Sequence, residues 1–323
     1  MLSVSPKNRE SQSSNGQDSW SKTFPTNLEE QGFSKEFVYR FVLLSSAMIL
    51  EKRRLLPDSC FRRRVIEKLQ ISNYSLENEI SKRLKTKIDS LKPALEQGYL
   101  AEFAIVFYRK PEEEDVFEVF SFKFAYKEDG KQVALSLATG VNTEEMHSHL
   151  IDFEFQSLDS IRQEFIRMMK ILHRYVSRGL EDLPENSDGS FRIAYTSKAP
   201  ADYCPEGFEK SENFYQINTA ADGIAEVGVI GGGHHAVQII GASLLKKANV
   251  ADFNKTMASL EDSFFVQNKS AAASAKTPKA TKSTSVKKTP KPAAAKPRGK
   301  RYGATDPIRG TPIPRRSRNA DIL

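Results

Sequence analysis

Two cysteines, Cys60 and Cys204, and five histidines are the first side chains to test for nucleophilic or metal chemistry. A structural zinc site wants four ligands at close spacing, which two Cys and scattered His do not offer. The pairs His147/His149 and His234/His235 read as surface or turn histidines rather than ligands. Cys204 stands in no catalytic-cysteine signature. The glycine run in GVIGGGHH lacks the Lys-Ser/Thr of a phosphate loop and the strand–Gly-x-Gly-x-x-Gly–helix context of a dinucleotide fold. No constellation here supports an enzyme, and none calls for a cofactor. Two cysteines do not make a disulfide framework, so a reducing compartment is expected.

What remains is chemistry carried by main chain and by charge. Net charge is +7 over 323 residues, but it is unevenly spread. From Lys269 to Leu323 there are nine Lys and six Arg against Asp306 and Asp321, a net of +13, which leaves −6 for residues 1–268. A basic tail on a mildly acidic body suits contact with an acidic partner or nucleic acid, or nuclear import. No apolar run is long enough to span a membrane, and no secretory signal opens the chain.

Along the chain, residues 1–23 are Ser-, Asn- and Gln-rich with one aromatic, Trp20, and the segment 1–24 is expected to be disordered. Phe33, Phe37, Phe41, Ser45 and Ile49 then repeat every four residues and predict a helix, stopped by Pro57. Asp58 is expected to cap a short helix carrying Phe61, Val65 and Leu69. A third helix follows on Leu76, Ile80, Leu84, Ile88, Leu91 and Leu95, ending at Gly98. The period then changes to two. Residues 99–109 and 116–126 read as strands, the second half-buried with Phe120, Phe122, Phe124 and Tyr126 alternating with Ser121, Lys123 and Ala125. A KEDGK turn leads to a third strand near 132–138. A long helix from Asp159 to Leu180 buries Ile161, Phe165, Met168, Leu172 and Val176, with Arg162, Arg167, Lys170, Arg174 and Arg178 elsewhere on it. Residues 191–196 form another strand. Residues 200–245 are long, glycine-punctuated and half apolar, the pattern of a functional flap. A Lys/Ala/Pro/Thr run over 269–300 reads as a linker.

Four stretches resemble the HORMA-domain family, in particular its meiotic chromosome-axis branch. They are Arg53-Arg54-Leu55-Leu56-Pro57-Asp58 before Phe61, the aromatic strand VFEVFSFKFAYKEDG, the long helix leading to Leu183-Pro184, and AYTSKAPADYCPEGF at 194–208. Their order and spacing carry the resemblance across residues 30–245. It implies an α+β fold, mainly an antiparallel sheet backed by long helices, with a C-terminal "safety belt" at about 205–245 that wraps a bound peptide, the closure motif. Physically, an exposed strand edge accepts an extended peptide by main-chain hydrogen bonds, and a covering belt slows its release. Phe191–Ser197 is the expected docking edge. Phe191, Ile193, Tyr195, Phe214, Tyr215, Ile217, Val229 and Ile230 are the expected peptide-binding residues. The end of the chain, with Tyr302, Gly303, Pro307, Ile308, Gly310, Thr311 and Pro312, resembles the closure motifs of nematode meiotic axis proteins of this family.

The expected layout is therefore a disordered segment at 1–24, a HORMA domain at 25–245, a basic linker at 246–298 and a closure motif at 299–323. About 55 flexible residues reach roughly 40 Å, which permits self-binding at an effective concentration on the order of a millimolar. The resemblance implies a non-enzymatic protein of nuclear meiotic chromosomes, acting in axis assembly, synapsis, recombination and checkpoint control. Its implied partners are closure-motif peptides and an AAA+ remodelling ATPase. The run Lys276–Arg301 suits nuclear import or weak, salt-sensitive DNA contact, and Thr277, Thr289 and Thr311 each precede a proline. The alternative is a chromatin-binding adaptor of another HORMA class that acts through its tail.

Overall fold

The computed structural model describes residues 19–110, 115–128, 131–133, 157–211, 214–218, 223–247 and 316–319. The first long helix, α1 (Gln31–Arg53), is buried almost all round from Phe37 to Leu50, because sheet, helix and hairpin all pack on it. Phe33, expected on its apolar stripe, lies instead on the exposed side. The helix stops where Arg54 turns left-handed at φ 55° and returns its N–H to Glu51.

The helix expected over Phe61, Val65 and Leu69 is absent. Those residues belong to a hairpin, β1 (Phe61–Ile66) and β2 (Leu69–Tyr74), paired from Phe61↔Tyr74 to Ile66↔Leu69. Glu67 and Lys68 take φ of 48° and 66°, the double positive turn that joins strands with right-handed twist. Spacing by four was a coincidence inside an alternating run. The next helix is also shorter than expected. Asn78 accepts hydrogen bonds from the N–H groups of Ile80 and Ser81 and starts α2 (Glu79–Asp89), while Pro93 opens the separate α3 (Lys92–Glu96).

The main sheet contains β3 (Leu100–Arg109), β4 (Val116–Glu128), β5 (Lys131–Val133), β6 (Ser187–Tyr195), β7 (Phe208–Lys210), β8 (Ile224–Gly231), β9 (His235–Ser243) and β10 (Arg316–Asn319). Its order is β7-β10-β6-β3-β4-β9-β8, with β5 beside β4. The α+β expectation, antiparallel sheet with long helices, holds. The expected third strand falls at 131–133, and residues 134–138 lie outside the described residues.

One face of the sheet packs on α1 and on α4 (Leu158–Arg174), which ends in the π-turn Tyr175–Gly179. Phe103 meets Phe122 and Phe191, and Phe120 meets Tyr175. Gly241 lies across from Phe120, and a Cβ there would come within 2.4 Å of the Tyr175 ring. Between the two helices Trp20, Phe24, Phe41 and Phe165 form one aromatic cluster, with Trp20 and Phe165 5.5 Å apart. Trp20 is fully buried, and Arg162 lies 5.3 Å over its ring. Of the segment expected to be disordered, residues 19–24 are therefore packed on the body by Trp20 and Phe24, which composition averaged over the segment hid. Residues 1–18 lie outside the described residues.

At one end of this face Arg53 sets its Nε 2.6 Å from Glu118 on β4. The Ser243 hydroxyl on β9 donates to the same carboxylate at 2.9 Å, and Arg53 also donates to the Glu181 carbonyl at 2.8 Å. Burial nevertheless pushes the Glu118 carboxyl up to about 7, with Arg53 and Ser243 opposing it.

Candidate functional site

The site is a slot at one edge of the sheet. β6 alternates tightly packed residues and is buried along nearly its whole length. One of its sides pairs with β3 from Arg109↔Ser187 to Leu100↔Tyr195. Its other side pairs antiparallel with the C-terminal strand, Arg316↔Ala194, Ser317↔Ile193 and Arg318↔Arg192. The far side of that strand pairs with β7 through Ser317↔Lys210, Arg318↔Glu209 and Asn319↔Phe208. The peptide 316–319 thus sits between two strands of the body, and ladder positions on both its sides are taken. Such pairing satisfies main-chain groups without regard to side-chain identity.

The stretch between β6 and β7 is pinned locally. The Thr196 N–H and hydroxyl donate to the carbonyls of Tyr99 and Gly98, each at 2.7 Å. Tyr203 stacks edge-on against Tyr99 and Tyr195 at 5.2 and 5.6 Å. The Cys204 thiol donates to the Phe208 carbonyl at 3.0 Å. Burial raises that thiol above its ordinary value, the reverse of what an activated nucleophile needs.

After β7 the chain crosses the second face of the sheet. Phe214, Tyr215 and Ile217 are buried there against Ala104, Val106 and Tyr108 of β3, Val119 of β4, Ala194 of β6 and Ala242 of β9. It then forms the β8–β9 hairpin on the opposite edge, with β9 paired to β4 from Glu118↔Ser243 to Tyr126↔His235. The described residues of 196–247 thus form a strap that starts at one edge, beside β7, and reaches the other at β8. The glycine run is the turn of that hairpin. Gly233 N–H donates to Leu28, and His234 and His235 N–H donate to the Ser34 hydroxyl at 3.1 and 3.0 Å. A Cβ on Gly232 would stand 2.6 Å from that hydroxyl, so the glycines serve close packing on α1.

Of the expected peptide-binding residues, Phe191, Ile193 and Tyr195 all lie on β6, whose open side takes the strand. Phe191 packs on Phe103 at 5.1 Å, within the helix-side core, and Ile193 stands across from Phe103 in the ladder. Ile193 contributes main chain to the slot. Phe214, Tyr215 and Ile217 lie on the strap. Val229 and Ile230 are on β8, at the other edge of the sheet, and the structure does not bring them to the slot. Tyr302, Gly303, Pro307, Ile308, Gly310, Thr311 and Pro312 lie outside the described residues; the paired strand begins four residues after Pro312.

Four residues at the strap face were missed. Glu102 on β3 is 1% exposed and accepts from Ser121 on β4 at 2.5 Å and from the Tyr215 hydroxyl at 2.6 Å. Lys123 stands across from Glu102 in the ladder. Burial pulls its ammonium below the ordinary lysine value, with Glu102 and Glu226 opposing. Arg192 on β6 donates from Nη1 to the Phe214 carbonyl at 2.5 Å and from Nε to Ser190 at 3.1 Å. Ser121, Lys123 and Ala125, expected to face solvent, are buried, because the strap and its hairpin enclose that face. The available signal was a charge inside each apolar strand: Glu102, Lys123 and Arg192. Among the described residues no group of three or more His, Cys, Asp or Glu is placed to hold a metal, and no helix is long and apolar enough to cross a membrane.

A family model described as the HORMA domain matches residues 34–235. The chain belongs to the HORMA domain family. Among solved structures it resembles C. elegans HTP-1 bound to HTP-3 motif-1, with a TM-score of 0.64 and 26% identity over 71% of this chain and 97% of that one. C. elegans HTP-1 bound to the HIM-3 closure motif gives a TM-score of 0.64 and 26% identity over 71% of this chain and 98% of that one. HORMA domain-containing protein 2 of Bos taurus is 24% identical over 226 residues, 67% of this chain and 69% of the relative. The match runs from the first turn of α1 to the start of β9.

Proposed function

We propose that this HORMA protein is a non-enzymatic assembly adaptor that captures extended peptides between β6 and β7 and holds them under the strap. Its own C-terminal segment is one such peptide. The observation that carries this reading is the antiparallel pairing of Arg316–Asn319 on both sides by the body. The likeness to HTP-1, a chain solved with HTP-3 motif-1 and with the HIM-3 closure motif, supports it. On this reading the closure motif of 299–323 extends through the paired strand, and a motif from another axis protein competes with the tail for the slot.

The same reading places the chain in the nucleus on meiotic chromosome axes, in synapsis, recombination and checkpoint control. An AAA+ ATPase would open the strap, and Lys276–Arg301 would add weak DNA contact. The charge of the tail favours a second role as a chromatin tether, which would appear as DNA binding lost with residues 269–301 and steeply reduced by salt.

The test is the full chain against a chain lacking 299–323, each mixed with a labelled peptide of residues 295–323 or its scramble. The shortened chain should take up the native peptide faster, and neither chain the scramble. Equal rates would remove self-occupancy, and no uptake by either chain would remove the slot.

A further inference from the structure

The strap is seated on charge as well as on apolar surface. Its two consecutive residues Phe214 and Tyr215 are held by opposite charges from adjacent strands. The Arg192 guanidinium donates to the Phe214 carbonyl, and the Glu102 carboxylate accepts from the Tyr215 hydroxyl. Arg192 and Glu102 are 4% and 1% exposed, so each gives up hydration when the strap covers it and regains it when the strap lifts. Burying charge in this way returns little net stability unless the geometry is complete. The seat is therefore tight only when both contacts are made in register.

Arg192 also belongs to the slot. Its main chain is the ladder partner of Arg318, while its side chain reaches the strap. When the slot is filled, β6 is paired on both sides and the position of Arg192 is fixed. When it is empty, β6 is an edge strand with unpaired main-chain groups on one side. One residue thus links occupancy of the slot to closure of the strap.

We propose that Arg192 and Glu102 are positioning residues that clamp the strap over an occupied slot, so that residence of the guest strand is set by these two contacts to Phe214 and Tyr215. This rests on the slot reading given above. It assigns to two strand charges the control of release that apolar packing alone would otherwise hold.

The experiment uses the full chain and follows exchange of its own tail for a labelled peptide of residues 299–323. Tyr215→Phe keeps the ring and removes the donor to Glu102; Arg192→Met keeps length and removes the donors to Phe214. Each should speed uptake and release about ten- to hundred-fold, the worth of a hydrogen bond to a charged group. Arg192→Lys, which keeps one charged donor, should fall between. Tyr39→Phe is the control, because its hydroxyl reaches Asp89 on α2 and neither Phe214 nor Tyr215; it should leave the rate unchanged. In hydrogen exchange the amides of 214–217 should open faster in the first two variants while those of β3 keep their protection. Exchange in the wild type with identical rates in Tyr215→Phe and Arg192→Met would overturn the clamp and leave the slot standing. Acceleration by Tyr39→Phe as large as by Tyr215→Phe would also overturn it, as a general loosening. Failure of the peptide to enter any chain, including one lacking 299–323, would overturn slot and clamp together.

Discussion

The two faces of the one sheet are both buried, but they are closed by different chemistry. On the helix side Phe103, Phe107, Phe120, Phe122 and Phe191 pack on one another in edge-to-face and tilted ring contacts, and Phe120 meets Tyr175 of the π-turn. On the strap side the sheet offers small residues, Ala104, Val106, Val119 and Ala242, interrupted by Glu102, Ser121, Lys123 and Arg192. Interlocked rings leave no way to separate the layers short of unfolding. Small side chains and hydratable charges let a cover lift while the body stays intact. One side is therefore a permanent core and the other a closable seat, and the difference lies in which alternate residues of β3, β4 and β6 are aromatic and which are charged.

The largest effect that would break this comparison is on the helix side. Phe165, fully buried among Trp20, Phe24 and Phe41, should cost about 3–5 kcal/mol on replacement by Ala, measured by urea unfolding of the full chain. A loss under 1 kcal/mol would mean that the helix layer is not the core. Next comes the pH response of the hairpin turn. Burial, together with His234 and Lys35, holds the His235 imidazole down to about 4. The stability it gives is present above 6.5 and lost as pH falls towards 4, because only the unfolded chain takes the proton. Glu118 has the opposite sign: its carboxyl is held up to about 7, so its stability is present below 4.5 and lost as pH rises through 7. The two offset one another between pH 4.5 and 6.5. His235→Gln should remove one of them, making the variant more acid-tolerant than wild type by up to about 3 kcal/mol across that range. Parallel pH profiles would show that His235 is not held neutral.

The smallest effect sharpens the comparison on the strap. Ile217 is as buried as a core residue, yet Ile217→Ala should cost only about 1 kcal/mol of global stability, below the 2–5 typical of a core aliphatic, because the strap opens before the body unfolds. Exchange of the 214–217 amides should rise while β3 stays protected. A full core-sized loss with uniform exchange would make the strap part of the permanent body.

Much of this was legible in residue order. Alternation in VFEVFSFKFAY specified β4, the spacing of Ile161, Phe165, Met168 and Leu172 specified α4, and the glycine-punctuated, half-apolar stretch 200–245 marked the strap. The errors have one physical origin. Periodicity reports which faces are apolar and leaves open what covers them. Phe61, Val65 and Leu69 fit a helix and a hairpin alike until the left-handed turn at Glu67-Lys68 decides. Trp20 looked isolated because, Phe24 apart, its partners Phe37 and Phe165 are distant in sequence.

The sequence by itself determined β3, β4 and β6, the two long helices, the family and the existence of a basic tail, because each depends on local pattern and composition. Only the tertiary structure decided that Lys123 is interior, that Val229 and Ile230 stand at the edge opposite the slot, and that residues 316–319 pair with β6. Those facts depend on which strand lies beside which, and the joins that decide them, β4 with β9 and β6 with β10, link residues more than a hundred positions apart.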